Sequence, residues 1–127
     1  MLVVVDTSVL IDHLRGDARA TSLLREVVAA GDELWSVTPV RTEILAGARP
    51  GERSAIQRLF EQIRWLDVTT DVADAGGQLA AQYLRSHTSV DTVDYLIAAG
   101  VARLGARLLT LNVRHFPMLA DLEPAYR

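Results

Sequence analysis

The chain has 127 residues, half of them apolar and 23% charged, with 16 acidic against 13 basic side chains, a net charge of −3 and no cysteine. That length fits one compact domain of about 100–200 residues, and an apolar half supplies a core, which excludes disorder. Lysine is absent and all 13 basic residues are arginine, which excludes a P-loop and Schiff-base chemistry; the missing cysteines exclude disulfides, thiolate metal sites and a thiol nucleophile.

The amino end, Met1 to Asp6, has no basic segment and meets an acid at once, so it does not read as a signal peptide. Leu2 to Val5 is a continuous β-branched run, the pattern of a buried parallel strand. Thr7 or Ser8 can cap a short helix with Val9, Leu10, Ile11 and Leu14 on its apolar side. After Gly16-Asp17, Ala18 to Ala30 carries Leu23, Leu24, Val27 and Val28 at helical spacing and stops at Gly31. Leu34 to Val37 is a second strand. Thr38-Pro39 then reads as an N-cap followed by proline in the first helical turn, opening a helix to about Ala46.

Ser54 to Ile63 is amphipathic, Trp65 to Val68 a third strand, and Asp71 to Ser86 a helix. Val93 to Leu104 is apolar nearly all round, which predicts a buried helix. Its run Tyr95–Ala102, the longest in the chain, is far short of the roughly 20 residues of a membrane span. Leu108 to Leu111 is a fourth strand, with a short fifth at Leu122-Glu123. Strands alternating with helices, without hairpin signals, predict an α/β fold with a central, mostly parallel sheet of four to five short strands. No repeat or linker interrupts it, so residues 1–127 read as one domain, soluble and cytoplasmic.

In open α/β sheets, sites form at the carboxyl ends of the strands. Asp6 sits at the end of the first strand, as a site acid or as a helix N-cap. Glu43 lies in the second turn of the helix that follows the second strand, on a face shared with Val40, Ala46 and Gly47; the alternative is a solvated helix glutamate. Asp94 shares its stripe with Ile97, Ala98 and Val101, where an ionised carboxylate costs several kcal/mol unless it is paired or binds a metal. Its alternative is a capping acid, with Asp91 as the N-cap. Three carboxylates from distant stretches at one sheet edge suit a hard cation with oxygen ligands. His13 and His87 read as surface residues.

Val3-Val4-Val5-Asp6-Thr7-Ser8, Thr38-Pro39-Val40-Arg41-Thr42-Glu43, Asp94-Tyr95-Leu96-Ile97-Ala98-Ala99 and Thr110-Leu111-Asn112-Val113-Arg114-His115-Phe116, in this order, resemble the motifs of PIN-domain ribonucleases, in particular the VapC toxins of bacterial toxin–antitoxin pairs. The resemblance implies a PIN-like fold. It also implies a metal-dependent endoribonuclease acting on tRNA or another structured RNA, with Asp6, Glu43 and Asp94 as catalytic acids holding Mg²⁺ or Mn²⁺. The family's fourth acidic position falls near Asn112, an amide that would orient a water or a phosphate. Thr7 and Ser8 would position a water beside Asp6, Asp91 would add charge at the same helix end, and Arg114 and His115 would contact phosphate; Arg41 is a weaker candidate for that role. A VapB-like antitoxin and homodimerisation are implied as well. Two other readings are a catalytically silent PIN-like domain held by its antitoxin, and a phosphotransfer or receiver domain, which lacks its lysine here.

Overall fold

The computed structural model describes residues 1–127. It contains β1 (Leu2–Val5), α1 (Thr7–Leu14), α2 (Ala18–Ala29), β2 (Glu33–Val37), α3 (Thr38–Ala46), α4 (Arg53–Glu61), β3 (Arg64–Leu66), α5 (Thr70–Tyr83), α6 (Thr92–Leu104) and β4 (Arg107–Leu109), followed by a 3₁₀ turn, Val113–His115. The four strands form one sheet in the order β3-β2-β1-β4, and every pairing is parallel. A parallel sheet needs cover on both faces, and β1 shows it: Val3, Val4 and Val5 are completely buried.

The registers decide which residues share an edge. Val5 of β1 pairs with Leu109 of β4, so Asp6 and Thr110 leave the sheet side by side, and the Asp6 N–H donates to the Leu109 carbonyl at 2.9 Å. β2 ends at Val37 and passes directly into α3, which carries Glu43. Helix α6 lies against the sheet at Gly100, where a Cβ would stand 2.7 Å from Val37 Cγ1. That close approach brings the amino end of α6, and Asp94 with it, toward the strand ends. No helix is long and apolar enough to cross a membrane.

Several boundaries differ from the sequence reading. Asp6, not Thr7 or Ser8, caps α1, because its carboxylate accepts the Thr7 N–H at 2.8 Å. The residue before α3 is Val37, without a side-chain cap; Thr38 is already helical, and its hydroxyl accepts from the Val68 N–H at 3.4 Å. β4 stops at Leu109 because the next amides bond to side chains: Leu111 N–H to Ser8 Oγ at 3.2 Å, Asn112 N–H to Thr110 Oγ1 at 2.9 Å. β3 begins at Arg64 and ends at Leu66, and α5 ends at Tyr83 rather than Ser86. There is no fifth strand at Leu122-Glu123. The tail instead makes single contacts, such as the Ala125 N–H to the Thr110 carbonyl at 2.8 Å.

Candidate active site

Asp6 is only 4% exposed, and both of its carboxylate oxygens are held. Oδ1 accepts the Thr7 N–H; Oδ2 accepts hydroxyl bonds from Ser8 at 2.9 Å and Thr110 at 2.7 Å. Each of these hydroxyls also accepts a backbone amide, from Leu111 and Asn112 respectively. The backbone amides thereby fix the hydroxyls, and the hydroxyls fix the carboxylate. Bonds to an ionised acceptor are about twice as strong as neutral ones, so the group is oriented before anything binds.

Thr7 faces the other way. Its hydroxyl donates to Glu43 Oε1 at 2.7 Å, linking the first turn of α1 to α3. Glu43 is half-buried and keeps Oε2 free of this bond. Thr7 and Ser8 are therefore positioning groups for the acids and not helix caps.

Asp94 is 7% exposed and is the capping acid that the sequence allowed. It completes a capping box with Asp91: the Asp94 N–H donates to Asp91 Oδ1 at 3.0 Å, and the Asp91 N–H donates to Asp94 Oδ2 at 3.1 Å. Its carboxyl is pushed up to about 6, first by burial, with the negative charges of Asp91 and Asp6 adding to the effect; the Asp91 N–H and His115 oppose it. His115 Nδ1 stands 3.3 Å from Asp94 Oδ2, so this half-buried ring lies beside the acid.

Asn112 and Arg114 are exposed, beside a hollow of ≈ 340 Å³ that Leu111, Val113 and His115 also line. Arg41 is committed elsewhere, its guanidinium 4.3 Å from the Phe60 ring centroid and 4.9 Å from that of Trp65. His13 and His87 are half-buried; their ring nitrogens pair with the hydroxyls of Thr21 and Ser86.

Asp6, Asp94 and, through Thr7, Glu43 thus meet at one sheet edge. As the side chains stand, three such groups do not converge into the shell of a single ion. The donor set nonetheless fits a hard divalent cation. Mg²⁺ is commonly held through one or two carboxylates while it keeps several waters, and Asp6 and Asp94 are a buried pair in which the charge of Asp6 adds to the cost of ionising Asp94. Thr110, which the sequence placed in the closing motif without a role of its own, is fully buried and makes the shortest hydrogen bond to Asp6; as a polar residue in an otherwise apolar strand run it carried that signal.

The family model of the PIN domain matches residues 3–121. Ribonuclease VapC19 of Mycobacterium tuberculosis is 48% identical over 122 residues, covering 96% of this chain and 98% of that protein. Ribonuclease VapC10 of the same species is 38% identical over 126 residues, covering 98% and 93%. Among solved structures, DNA-bound VapBC from Salmonella typhimurium aligns with a TM-score of 0.79 at 21% identity, over 98% of this chain and 97% of that one. VapBC2 from Rickettsia felis, bound to a promoter DNA fragment, aligns with a TM-score of 0.78 at 17% identity, over 96% of each chain. At such identities these two structures speak for the fold alone.

Proposed function

The chain belongs to the PIN-domain family, as a VapC-type member, and from that premise we propose that it is a metal-dependent endoribonuclease, the toxin of a VapBC pair. The observation that carries the proposal is the buried pair Asp6 and Asp94 at one sheet edge, in a chain 48% identical to a named ribonuclease. Asp6 and Asp94 are the residues that would hold Mg²⁺ or Mn²⁺ directly, with Glu43 reaching the ion through a water. When bound, such an ion offsets charge developing on a phosphoryl group and makes water more acidic.

The chain's own groups do the rest. Asp6 is immobilised by Thr7, Ser8 and Thr110, so its free lone pairs point in fixed directions. Glu43 is tethered at Oε1 by Thr7, which leaves Oε2 to take a proton from the attacking water. Water then adds to phosphorus as the P–O bond to the leaving ribose oxygen breaks, and that oxygen takes up a proton from solvent. Arg114, exposed at the rim, binds the RNA backbone by charge, and Asn112 orients a phosphate or a water. Base specificity lies outside these contacts. A structured RNA such as tRNA is the substrate class in this reading, the cytoplasm its place, and a homodimer its form.

The structural neighbours include VapBC complexes, which supports a VapB-like antitoxin as the partner of this chain. The test is induction of the chain in a bacterial host, alone and beside Asp94→Asn. The wild-type chain should arrest growth with discrete RNA fragments, and the variant should do neither. Growth unaffected by well-expressed, folded wild-type chain would contradict the proposal.

A further inference from the structure

The two hydroxyls that hold Asp6 Oδ2, those of Ser8 and Thr110, both depend on the peptide unit between Thr110 and Leu111. Thr110 carries one hydroxyl itself, and the Leu111 N–H donates to the other, Ser8 Oγ, at 3.2 Å. At its opposite polar end this peptide is held as well: the Thr110 carbonyl accepts the Ala125 N–H at 2.8 Å. A peptide unit is planar and turns as one body, so whatever fixes its carbonyl also fixes its N–H. The plane that orients Asp6 is therefore gripped from residue 125, far away in the chain.

The grip has its own anchor. Tyr126 donates its hydroxyl to Asp12 Oδ2 at 2.7 Å, and its ring centroid lies 5.0 Å from the Arg19 guanidinium, which pairs with Asp17 at 2.7 Å. Asp12 belongs to α1, the helix that Asp6 caps. Met118, Leu119 and Leu122 pack against the core, so segment 117–126 is seated before it reaches this contact. Burial, and then the bond to Asp12, hold the Tyr126 phenol above its ordinary pKa and keep it a donor. A hydrogen bond to a carboxylate is also among the stronger ones.

We propose that Tyr126 is a positioning residue for Asp6. By clasping segment 117–126 to α1 it keeps the Ala125 amide on the Thr110 carbonyl, and through that peptide it steadies the two hydroxyls that aim the Asp6 carboxylate. The inference rests on the nuclease reading above, in which Asp6 is a site acid, and adds a residue that acts through others.

The experiment is RNA cleavage kinetics of the full chain with Mg²⁺, together with amide hydrogen exchange by NMR, on the wild type, Tyr126→Phe, Asp12→Ala and Asp12→Asn. Tyr126→Phe keeps the ring and loses only the bond to Asp12. Its kcat should fall by about tenfold at unchanged KM, and its Leu111 amide should exchange about tenfold faster, the scale of one charge-assisted hydrogen bond. Asp12→Ala should match it, whereas Asp12→Asn, which keeps an oxygen for the phenol, should lose less. In the wild type the Ala125 and Leu111 amides should open together, as one local unit. Full turnover by folded Tyr126→Phe, or independent opening of those two amides in the wild type, overturns the inference. A wild type that cuts no RNA contradicts the nuclease reading. Leu111 exchange that quickens in Tyr126→Phe then still supports the clasp on Asp6, and exchange that stays slow overturns it.

Discussion

Replacing Asp94 by asparagine should abolish cleavage and, in the same metal-free protein, raise stability. Asparagine keeps an oxygen to accept the Asp91 N–H, and its own N–H still donates to Asp91 Oδ1, so the capping box survives. What it removes is a buried negative charge. Asp94 titrates at about 6 in the fold against 3.8 in the free chain. At about 1.4 kcal/mol per pH unit, that difference makes its ionisation cost ~3 kcal/mol at high pH. Screening at the solvent-facing mouth reduces the figure to about 1–2 kcal/mol. The sign follows from proton binding: between pH 3.8 and about 6 the folded carboxyl holds more proton than the unfolded one. Wild-type stability therefore rises as pH falls through that window, whereas Asp94→Asn gains nothing there. Urea unfolding in EDTA should find the variant more stable at pH 8 and the gap nearly closed at about pH 4. A variant less stable at pH 8, or a gap that ignores pH, would refute the claim that Asp94 is held against its own charge.

Other substitutions separate the layers of the site. Thr110→Val keeps shape but removes the bond to Asp6 and the acceptor for the Asn112 N–H; a stability loss of about 2–4 kcal/mol and strongly reduced cleavage are expected by denaturant unfolding and RNA assay. Glu43→Gln can still accept from Thr7, so the melting temperature should hold while turnover falls by at least about a hundredfold, the scale of a lost general base. Gly100→Ala pushes a methyl to 2.7 Å from Val37 Cγ1 and should cost about 1–3 kcal/mol in chemical denaturation, outweighing the gain in helix propensity.

The parallel sheet was legible because buried strands such as Val3-Val4-Val5 leave a continuous β-branched signature. The carboxyl-end rule then placed Asp6, Glu43 and Asp94 on one edge; the registers align the strand ends there, the Thr7–Glu43 bond ties in α3, and the charge of Asp6 acts on Asp94. Local ends were less legible, since they depend on which side chain reaches which amide. Asp6 and Thr7 are adjacent and both can cap; the choice is made by Glu43, 36 residues away, which takes the Thr7 hydroxyl. Likewise β4 ends where Thr110 takes the amide two residues on and Ser8, far away in the chain, takes that of Leu111; the second is a long-range event that local periodicity does not carry. Asp94 posed a choice between cap and site acid; the structure shows the cap, and a capping carboxyl at this sheet edge leaves the proposed site role open to it as well. For His115 the family resemblance implied a phosphate contact; its proximity to Asp94, at 3.3 Å, is a contact between distant stretches that no local pattern carries.

The central claim is that this carboxylate edge hydrolyses RNA with a bound divalent ion, and cleavage of total bacterial RNA by purified, antitoxin-free protein tests it most directly. Discrete fragments should appear with Mn²⁺ or Mg²⁺, disappear with EDTA, and be absent with Asp94→Asn under every metal. Fragments that persist in EDTA or in the variant, or none at all from folded, metal-loaded wild type, would contradict it.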